Sequence, residues 1–223
     1  MIDTDSLANR GFAVASGLIG PDQCRALAAL WPEQARFRKH IVMQRHGYGQ
    51  GEYQYFTYPL PKPVEALRQA LYPELANIAN RWNEQLGRDK RFPPTLEGWL
   101  RQCHAGGQKR PTPLLLHYGP GDYNCLHRDL YGELVFPLQA TVLLSDPQRD
   151  FSGGEFMLVE QRPRMQSRGE VVPLGQGDAV IFAVNERPVK GSRGFHRTAM
   201  RHGVSSLREG ERFTLGIIFH DAA

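Results

Sequence analysis

The feature that most constrains the fold is a run of short β segments that extends from about Leu114 to the end of the chain. The segments include "PLLLHY", "FPLQATVLLS", "GGEFMLVEQ", "DAVIFAV" and "RFTLGIIF", and the turn sequences "GPGD", "FSGG", "GQGD" and "REGER" separate them. No helical periodicity intervenes, so antiparallel pairing is favoured over βαβ units. Eight or nine such strands in about 110 residues predict a sandwich or barrel, most naturally a jelly roll.

The residues before this run are predicted to be mainly helical. Three segments place apolar residues at helical spacing between start and stop signals: "GPDQCRALAALW", "PVEALRQALYPELANIANRWNEQLG" and "PTLEGWLRQCHAGG". Residues 37–59, between the first two, form an aromatic and basic segment that we interpret as a loop. We favour a flap whose aromatic side chains close the core. The alternative is a surface that stacks a base and neutralises phosphates.

Together these patterns predict an α+β fold that is mainly β, a double-stranded β-helix of the cupin-like jelly-roll type with N-terminal helices packed against it. The 223 residues suffice for one substantial core, and no repeat or linker divides them. We therefore predict a single domain over 1–223. Residues 1–110 would form the helical support and lid region, and residues 111–223 the jelly-roll catalytic core.

The expected location is the cytoplasm, without membrane contact. The start "MIDTDSLANR" has no apolar signal region, and no apolar run approaches the length of a membrane span. Three cysteines without a paired spacing fit reduced thiols better than a disulfide framework. The sequence does not indicate the oligomeric state.

The tetrapeptide His127-Arg128-Asp129-Leu130 matches the start of the catalytic loop of protein kinases. That signature continues to a metal-binding Asn, where this chain has Leu134. It also requires a Gly-rich loop, a strand lysine and a D-F-G sequence, and the chain contains none of them in the required order. These differences argue against phosphoryl transfer.

A metal site is the better interpretation of the same residues. His127 and Asp129 are two apart on a predicted strand and therefore point to one face. His202, in "MRHGVSSL", begins another predicted strand and can reach the same point across the jelly roll. Two His and one carboxylate form the facial triad of non-haem Fe(II) oxygenases. Hydrogen-bonded strand residues without a metal, or a cupin-type Zn or Mn site, are the alternatives. Arg128 is expected to face away from the triad and to be solvated.

An anion site is predicted ten residues after His202. Arg212 lies in an apolar strand, where its buried charge requires a partner, and a dicarboxylate would pair with it bidentately. Thr214 shares the same face. This pair suits 2-oxoglutarate, with its keto-acid end on iron and its distal carboxylate on Arg212 and Thr214. A structural carboxylate is the alternative partner. Of 27 basic residues five are Lys and 22 are Arg, which fits anion recognition but also an Arg-rich codon usage.

Several longer motifs resemble the Fe(II)/2-oxoglutarate-dependent dioxygenase superfamily over the C-terminal half: "YGPGDYNCLHRD", "GGEF", "VVPLGQGDAVIF" and "RHGVSSLREGERFTL". Further segments are similar to a bacterial oxygenase family predicted to demethylate damaged nucleic acid oxidatively: "GEYQYFTYPLP", "CHAGGQKRPTPLLLHY", "DLYGELVFPLQ", "GGEFMLVEQRPR" and "LGIIFHDA". The resemblance implies Fe(II) as cofactor and 2-oxoglutarate and O2 as cosubstrates. It implies hydroxylation of a C–H bond with release of succinate and CO2, with His127, Asp129 and His202 as catalytic metal ligands.

The resemblance also bears on Tyr118 and on the substrate. Tyr118 matches the tyrosine that hydrogen-bonds the cosubstrate in AlkB-like demethylases, and core packing is its alternative role. Leu116 and Ile218 depart from that pattern, since they stand where an Asn and a second Arg are usual. The leading expectation is demethylation of alkylated nucleic-acid bases. Hydroxylation of a small molecule or protein side chain is the alternative, and a non-catalytic ligand-binding jelly roll is a third.

Overall fold

The computed structural model describes residues 2–130 and 132–223, in which two antiparallel sheets pack face to face. Met1 and Tyr131, the latter within the motif "DLYGELVFPLQ", lie outside the described residues. Phe182 in one sheet contacts Phe156 in the other, with ring centroids 5.1 Å apart. This sheet-on-sheet architecture with added helices confirms the predicted mainly β jelly roll.

Four α-helices precede the main run of strands: α1 Thr4–Arg10, α2 Pro21–Ala28, α3 Lys62–Gln85 and α4 Leu96–Ala105. The last three confirm the predicted helices, whereas α1 was not expected. The α1 helix begins after Asp3, whose side chain accepts a hydrogen bond from the backbone N–H of Ser6, and ends at Gly11 in the left-handed conformation. Such short capping signals are easily missed in a polar N-terminus.

The strands, in chain order, are β1 Phe12–Ala15, β2 Phe37–Val42, β3 Gly49–Gln50, β4 Glu52–Phe56, β5 Leu114–Tyr118, β6 Tyr123–His127, β7 Leu138–Leu143, β8 Phe151–Gly153, β9 Phe156–Gln161, β10 Arg168–Val172, β11 Ala179–Ala183, β12 Glu186–Gly191, β13 Gly194–Val204, β14 Leu207–Gly210 and β15 Arg212–Ile218. The major sheet has the order β1-β11-β7-β15-β5-β4-β2. The minor sheet has the order β10-β9-β13-β6-β3, with β12 also paired to β13, and β8 pairs with β14.

The helices pack on the outer face of the major sheet and leave its inner face to the minor sheet. Leu71, Leu75 and Trp82 of α3 are buried in the same cluster as Leu138 and Ala140 of β7. Because side chains alternate along a strand, the even-numbered residues of β7 face the helices and the odd-numbered ones face the interior between the sheets. That interior holds the candidate site.

Residues 37–59 are not the loop predicted from the sequence. They contain β2, β3 and β4, and β4 is hydrogen-bonded to β5 of the jelly roll. Tyr55 and Phe56 of β4 are buried, at 7% and 0% exposure. The major sheet thus draws strands from both halves of the chain. The assignment of a single domain over 1–223 stays a prediction.

His202, predicted to begin a strand, lies instead near the end of the single long strand β13 Gly194–Val204. Its pairing with β6 is irregular, because His202 lies opposite His127 whereas Val204 lies opposite Asn124. Gly203 sits at this bulge, where an added Cβ would come within 2.7 Å of the Asn124 carbonyl oxygen. The bulge therefore brings two histidines directly side by side.

No helix among the described residues is long and apolar enough to span a bilayer. The cytoplasmic location stays a prediction.

Candidate metal and anion-binding site

A cavity of about 200 Å³ lies between the two sheets. Leu114, Leu116, Phe156 and Val204 form apolar parts of its wall. The polar side chains predicted to form the site converge on this cavity from four strands and the segment after β6: His127, Asp129, His202, Arg212, Thr214 and Tyr118. Residues up to 96 positions apart in the chain, Tyr118 and Thr214, are thereby assembled in one enclosed space.

His127, Asp129 and His202 form a compact group of three possible metal ligands. One donor atom from each lies within 4.8 Å of the others. The Asp129 carboxylate lies 3.5 Å from His127 Nε2 and 3.3 Å from His202 Nε2. Asp129 and His202 are 6% and 5% exposed, while His127 is half-buried. Two imidazoles and one carboxylate on one side of a point can hold a divalent metal and leave other coordination positions open.

The surrounding residues orient both imidazoles. His127 Nδ1 lies 2.7 Å from the backbone oxygen of Cys125, so this nitrogen donates and leaves Nε2 free to act as a ligand. The His202 ring packs against Phe182, with centroids 4.6 Å apart, and against His127 at 4.2 Å. His202 Nδ1 is buried without a partner among the described residues. Packing therefore fixes His202, and a hydrogen bond fixes His127.

The electrostatics of the group favour an ionised carboxylate. Burial raises the pKa of Asp129, but hydrogen bonds and charge from His127 and His202 outweigh it and hold the pKa well below its usual range. Burial and the charge of His127 lower the pKa of His202. An ionised carboxylate and a neutral imidazole are the forms in which Asp129 and His202 bind metals. Burial lowers the pKa of His127, but the hydrogen bond and charge of Asp129 outweigh it and raise the pKa.

Arg212 is deeply buried, and two of its guanidinium nitrogens have no hydrogen-bond partner among the described residues. It is 2% exposed, and these two nitrogens are Nε and Nη1. Burial lowers the pKa of Arg212 to about 10, although Tyr118 and Glu155 act in the opposite direction. No carboxylate of the described residues lies within ion-pair distance of Arg212, so the alternative of a structural carboxylate partner is not what the structure shows. A buried guanidinium with free donors is a receptor for an anion.

Thr214 and Tyr118 lie beside Arg212 in the cavity wall. Thr214 follows Arg212 on the same face of β15 and is 1% exposed. Tyr118 lies opposite Arg212 on β5, and the Arg212 guanidinium carbon is 5.6 Å from its ring centroid. Burial raises the pKa of Tyr118 to about 12, so the phenol keeps its proton and can donate it to an acceptor. Tyr118 also packs with Met43, Val204 and Leu207, so both roles considered for it are compatible with its position.

Arg128 differs from the expectation of a solvated side chain facing away from the site. The residue is half-buried and lines the cavity, and its Nε is buried without a hydrogen-bond partner among the described residues. Strand β6 ends at His127, so the alternation of strand side chains no longer fixes the direction of the next residue. The sequence prediction was wrong because it extended the strand too far.

The sequence prediction also missed three polar residues of the cavity wall: Asn124, Gln139 and Thr141. Asn124 donates from Nδ2 to the Tyr118 hydroxyl over 3.4 Å. Gln139 and Thr141 lie on the inner face of β7, a strand that is otherwise apolar. A signal for them was present, because period-two alternation in "LQATVL" places both polar residues on one side.

The opening of the cavity carries exposed aromatic surface. Tyr48 is 50% exposed and stacks on His46, with ring centroids 5.3 Å apart. Tyr48 and Tyr53 both line the cavity. The aromatic segment 37–59 thus has two parts: Tyr55 and Phe56 complete the core, and Tyr48 remains available at the opening.

A protein-family model matches residues 51–222, which include all six predicted site residues. The family is Oxygenase-NA, described as "Oxygenase, catalysing oxidative methylation of damaged DNA".

Among individual proteins, the chain is similar to an uncharacterized protein of Mycobacterium tuberculosis strain H37Rv. The two are 55% identical over 168 residues, which cover 75% of this chain and 72% of the relative. A protein of M. tuberculosis strain CDC 1551 matches with the same identity and coverage.

Among solved structures, the fold is similar to that of a prolyl-4-hydroxylase from Pseudomonas putida. The TM-score is 0.57 at 16% identity, with 96% of this chain and 94% of that chain covered. A 2-oxoglutarate-Fe(II) oxygenase family oxidoreductase from Burkholderia pseudomallei matches with a TM-score of 0.54 at 16% identity, over 99% of this chain and 91% of that chain. At these identities the likeness establishes the shared fold.

Proposed function

The chain belongs to the Oxygenase-NA family and is an oxygenase, and on that premise we propose that it oxidatively demethylates alkylated bases of nucleic acid. Fe(II) is the metal cofactor, and 2-oxoglutarate and O2 are the cosubstrates. The main support for the proposal is that one buried cavity contains both the His127, Asp129 and His202 donors and the Arg212 guanidinium, whose Nε and Nη1 have no hydrogen-bond partner among the described residues.

The residues present fit both groups. Two nitrogen donors and one oxygen donor, with open positions between them, match the 2-His-1-carboxylate set of non-haem Fe(II) oxygenases. The buried Nε and Nη1 donors of Arg212 have no acceptor among the described residues, and a guanidinium of this kind can bind a carboxylate bidentately. When bound, Fe(II) activates O2 for oxidation of a C–H bond while 2-oxoglutarate is converted to succinate and CO2.

The protein side chains have separate tasks in this reaction. His127, Asp129 and His202 hold the metal, and the Cys125 carbonyl keeps His127 Nε2 directed at it. Arg212 and Thr214 bind the distal carboxylate of 2-oxoglutarate, and the protonated Tyr118 hydroxyl donates a hydrogen bond to the cosubstrate. The apolar wall, including Leu114, Leu116 and Phe156, limits water in the cavity and so strengthens these polar contacts.

Nucleic acid is the proposed substrate for two reasons. An oxidant removes methyl groups rather than adding them, so oxidative action on damaged DNA, as in the family description, implies demethylation. Hydroxylation of an N-methyl group gives an N-hydroxymethyl group, which releases formaldehyde as the C–N bond breaks and the hydroxyl proton passes to nitrogen. The exposed Tyr48 at the opening also offers a stacking surface for a flipped or single-stranded base.

The test is formaldehyde release from single-stranded oligonucleotides that carry individual N-methylated bases. The purified protein is supplied with Fe(II), 2-oxoglutarate and O2, and formaldehyde is measured together with succinate. We expect the two products in equal amounts and the unmodified base in the oligonucleotide. His202→Ala should abolish both products.

Arg208→Met is the control variant, because the Arg208 side chain is 71% exposed and lies outside the cavity wall. This variant should retain full activity. Turnover of small molecules or peptides, seen as +16 Da products without formaldehyde from any methylated oligonucleotide, would replace nucleic acid by another substrate class.

A further inference from the structure

One buried amide in the cavity wall has no task in the reaction described so far. Gln139 lies on the inner face of β7 and is 4% exposed, and its Oε1 has no hydrogen-bond partner among the described residues. Thr141, two residues further along the same face, is 8% exposed and also lines the cavity. A buried polar group without a partner destabilises a fold, so its presence in an otherwise apolar strand points to a ligand.

Gln139 lies at the metal end of the cavity. Its cross-strand neighbours are Phe182 on β11 and Ile218 on β15. Phe182 contacts the ring of His202. Directly opposite residues in an antiparallel pair share a face, so Gln139 and Phe182 approach the metal ligands from the same side of the sheet.

Arg212 lies at the other end of the same wall. Along β15 the inward-facing positions run from Arg212 through Thr214 to Gly216, and Gly216 lies opposite Thr141. From Arg212 to Ile218, which lies opposite Gln139, six residues of strand span about 20 Å. The side chains of Arg212 and Gln139 and a five-carbon dicarboxylate between them can together bridge this distance, with one carboxylate at Arg212 and the other near β7.

The second carboxylate of such a ligand requires donors of its own. Ile218 faces the same side as Gly216 but is apolar and packs with Ile41, Tyr55 and Leu114. Gln139, directly across from Ile218, offers an amide that can turn to present its NH2 group, because no partner holds the oxygen in place. The Thr141 hydroxyl stands next to it as a further donor.

We propose that Gln139, assisted by Thr141, is a positioning residue of the cosubstrate site that hydrogen-bonds the carboxylate adjacent to the keto group of 2-oxoglutarate. Arg212 and Thr214 hold the distal carboxylate, so the ligand is fixed at both ends. The inference rests on the proposed use of 2-oxoglutarate, but not on the identity of the oxidised substrate.

The test compares two ligands that differ at the end in question. Succinate keeps the distal carboxylate but is one carbon shorter and lacks the carboxylate next to a keto group. Dissociation constants of both are measured calorimetrically on anaerobic Fe(II)-loaded protein, by competition where binding is weak. Gln139→Leu should weaken 2-oxoglutarate binding about 10- to 100-fold, the range for losing a hydrogen bond to a charged group, and change succinate binding less than about twofold. Gln139→Glu should weaken 2-oxoglutarate binding further, because it places a second negative charge beside the carboxylate.

The matched control is Gln54→Leu, since Gln54 is also a buried glutamine, 1% exposed, but donates to the Trp31 carbonyl and does not line the cavity. It should leave both dissociation constants unchanged. Gln139→Leu should fold at least as stably as the wild type, because leucine has a similar volume and removes an amide oxygen that has no hydrogen-bond partner among the described residues.

Unchanged 2-oxoglutarate binding in Gln139→Leu, or an equal loss for both ligands, would overturn the role of Gln139. A wild-type protein that binds no 2-oxoglutarate would overturn the proposed function and this inference with it, and the wild-type titration reveals that failure before any variant is compared.

Discussion

Replacing Arg212 with methionine should make the protein more stable and at the same time remove its response to 2-oxoglutarate. Burial lowers the pKa of Arg212 from its usual range to about 10. This shift corresponds to a penalty of about 3 kcal/mol on the charged form in the folded state. At pH 7, below both the folded and unfolded values, the whole penalty is present. It would be relieved only as the pH rises above about 10.

Methionine keeps apolar contact with the rings of Tyr118 and Phe151, which lie under the guanidinium, without burying a charge. We expect the free energy of unfolding to rise by about 1 to 3 kcal/mol, which for a chain of this length raises Tm by about 2 to 12 °C. For the wild type, 2-oxoglutarate at a hundredfold excess over its Kd should add about 2.7 kcal/mol.

The assay is scanning calorimetry at pH 7 on the wild type, Arg212→Met and Arg208→Met, each with and without Fe(II) and 2-oxoglutarate. Arg208→Met should behave as the wild type does. A lower Tm for Arg212→Met, or a variant that 2-oxoglutarate still stabilises fully, would refute the view of Arg212 as an unpaired anion receptor.

Three further predictions concern stability. Burial lowers the pKa of His220 to about 4, so His220 takes up a proton only in the unfolded state as the pH falls from 7 to 5. In urea titrations, the free energy of unfolding should fall by about 2 kcal/mol less over this pH range in His220→Asn than in the wild type. Asp221→Ala removes the carboxylate that lies 2.8 Å from the buried Arg68 guanidinium. Because the buried charge of Arg68 then lacks its ionic partner, the free energy of unfolding should fall by about 3 to 5 kcal/mol in the same titrations. Gly177 and Gly87 both have positive φ, +83° and +66°, but an added Cβ would meet a backbone carbonyl oxygen at 2.0 Å at Gly177 and no atom within 4 Å at Gly87. Gly87→Ala should therefore lower the free energy of unfolding by about 1 kcal/mol, and Gly177→Ala should lower it by clearly more.

Much of the site follows from local sequence patterns. Alternation along β15 places Arg212 and Thr214 on one face, and the turn sequences delimit the strands that carry His127 and His202. These patterns act within a few residues, so a single sequence is enough to recognise them. The resemblance of the longer motifs to a known superfamily then indicates which metal and which anion such donors bind.

The differences arise where structure depends on distant partners. Residues 37–59 contain strands because β4 pairs with β5, which lies about 60 residues later in the chain. No local sequence pattern predicts that pairing. Arg128 lines the cavity because β6 ends one residue before it. Gln139 can be recognised as a candidate site residue only from the strand register, which places it beside Phe182, the residue that contacts the His202 ring. Contacts across strands, rather than periodicity, determine all three.

The central claim is that one cavity binds Fe(II) through His127, Asp129 and His202 and 2-oxoglutarate through Arg212. Anaerobic titration of the Fe(II) protein with 2-oxoglutarate, followed by visible absorption, tests it most directly. We predict a weak visible charge-transfer band that saturates at one equivalent of each, disappears in His202→Ala and requires far more 2-oxoglutarate in Arg212→Met. A wild-type protein that gives no such band at saturating Fe(II) and 2-oxoglutarate would contradict the claim.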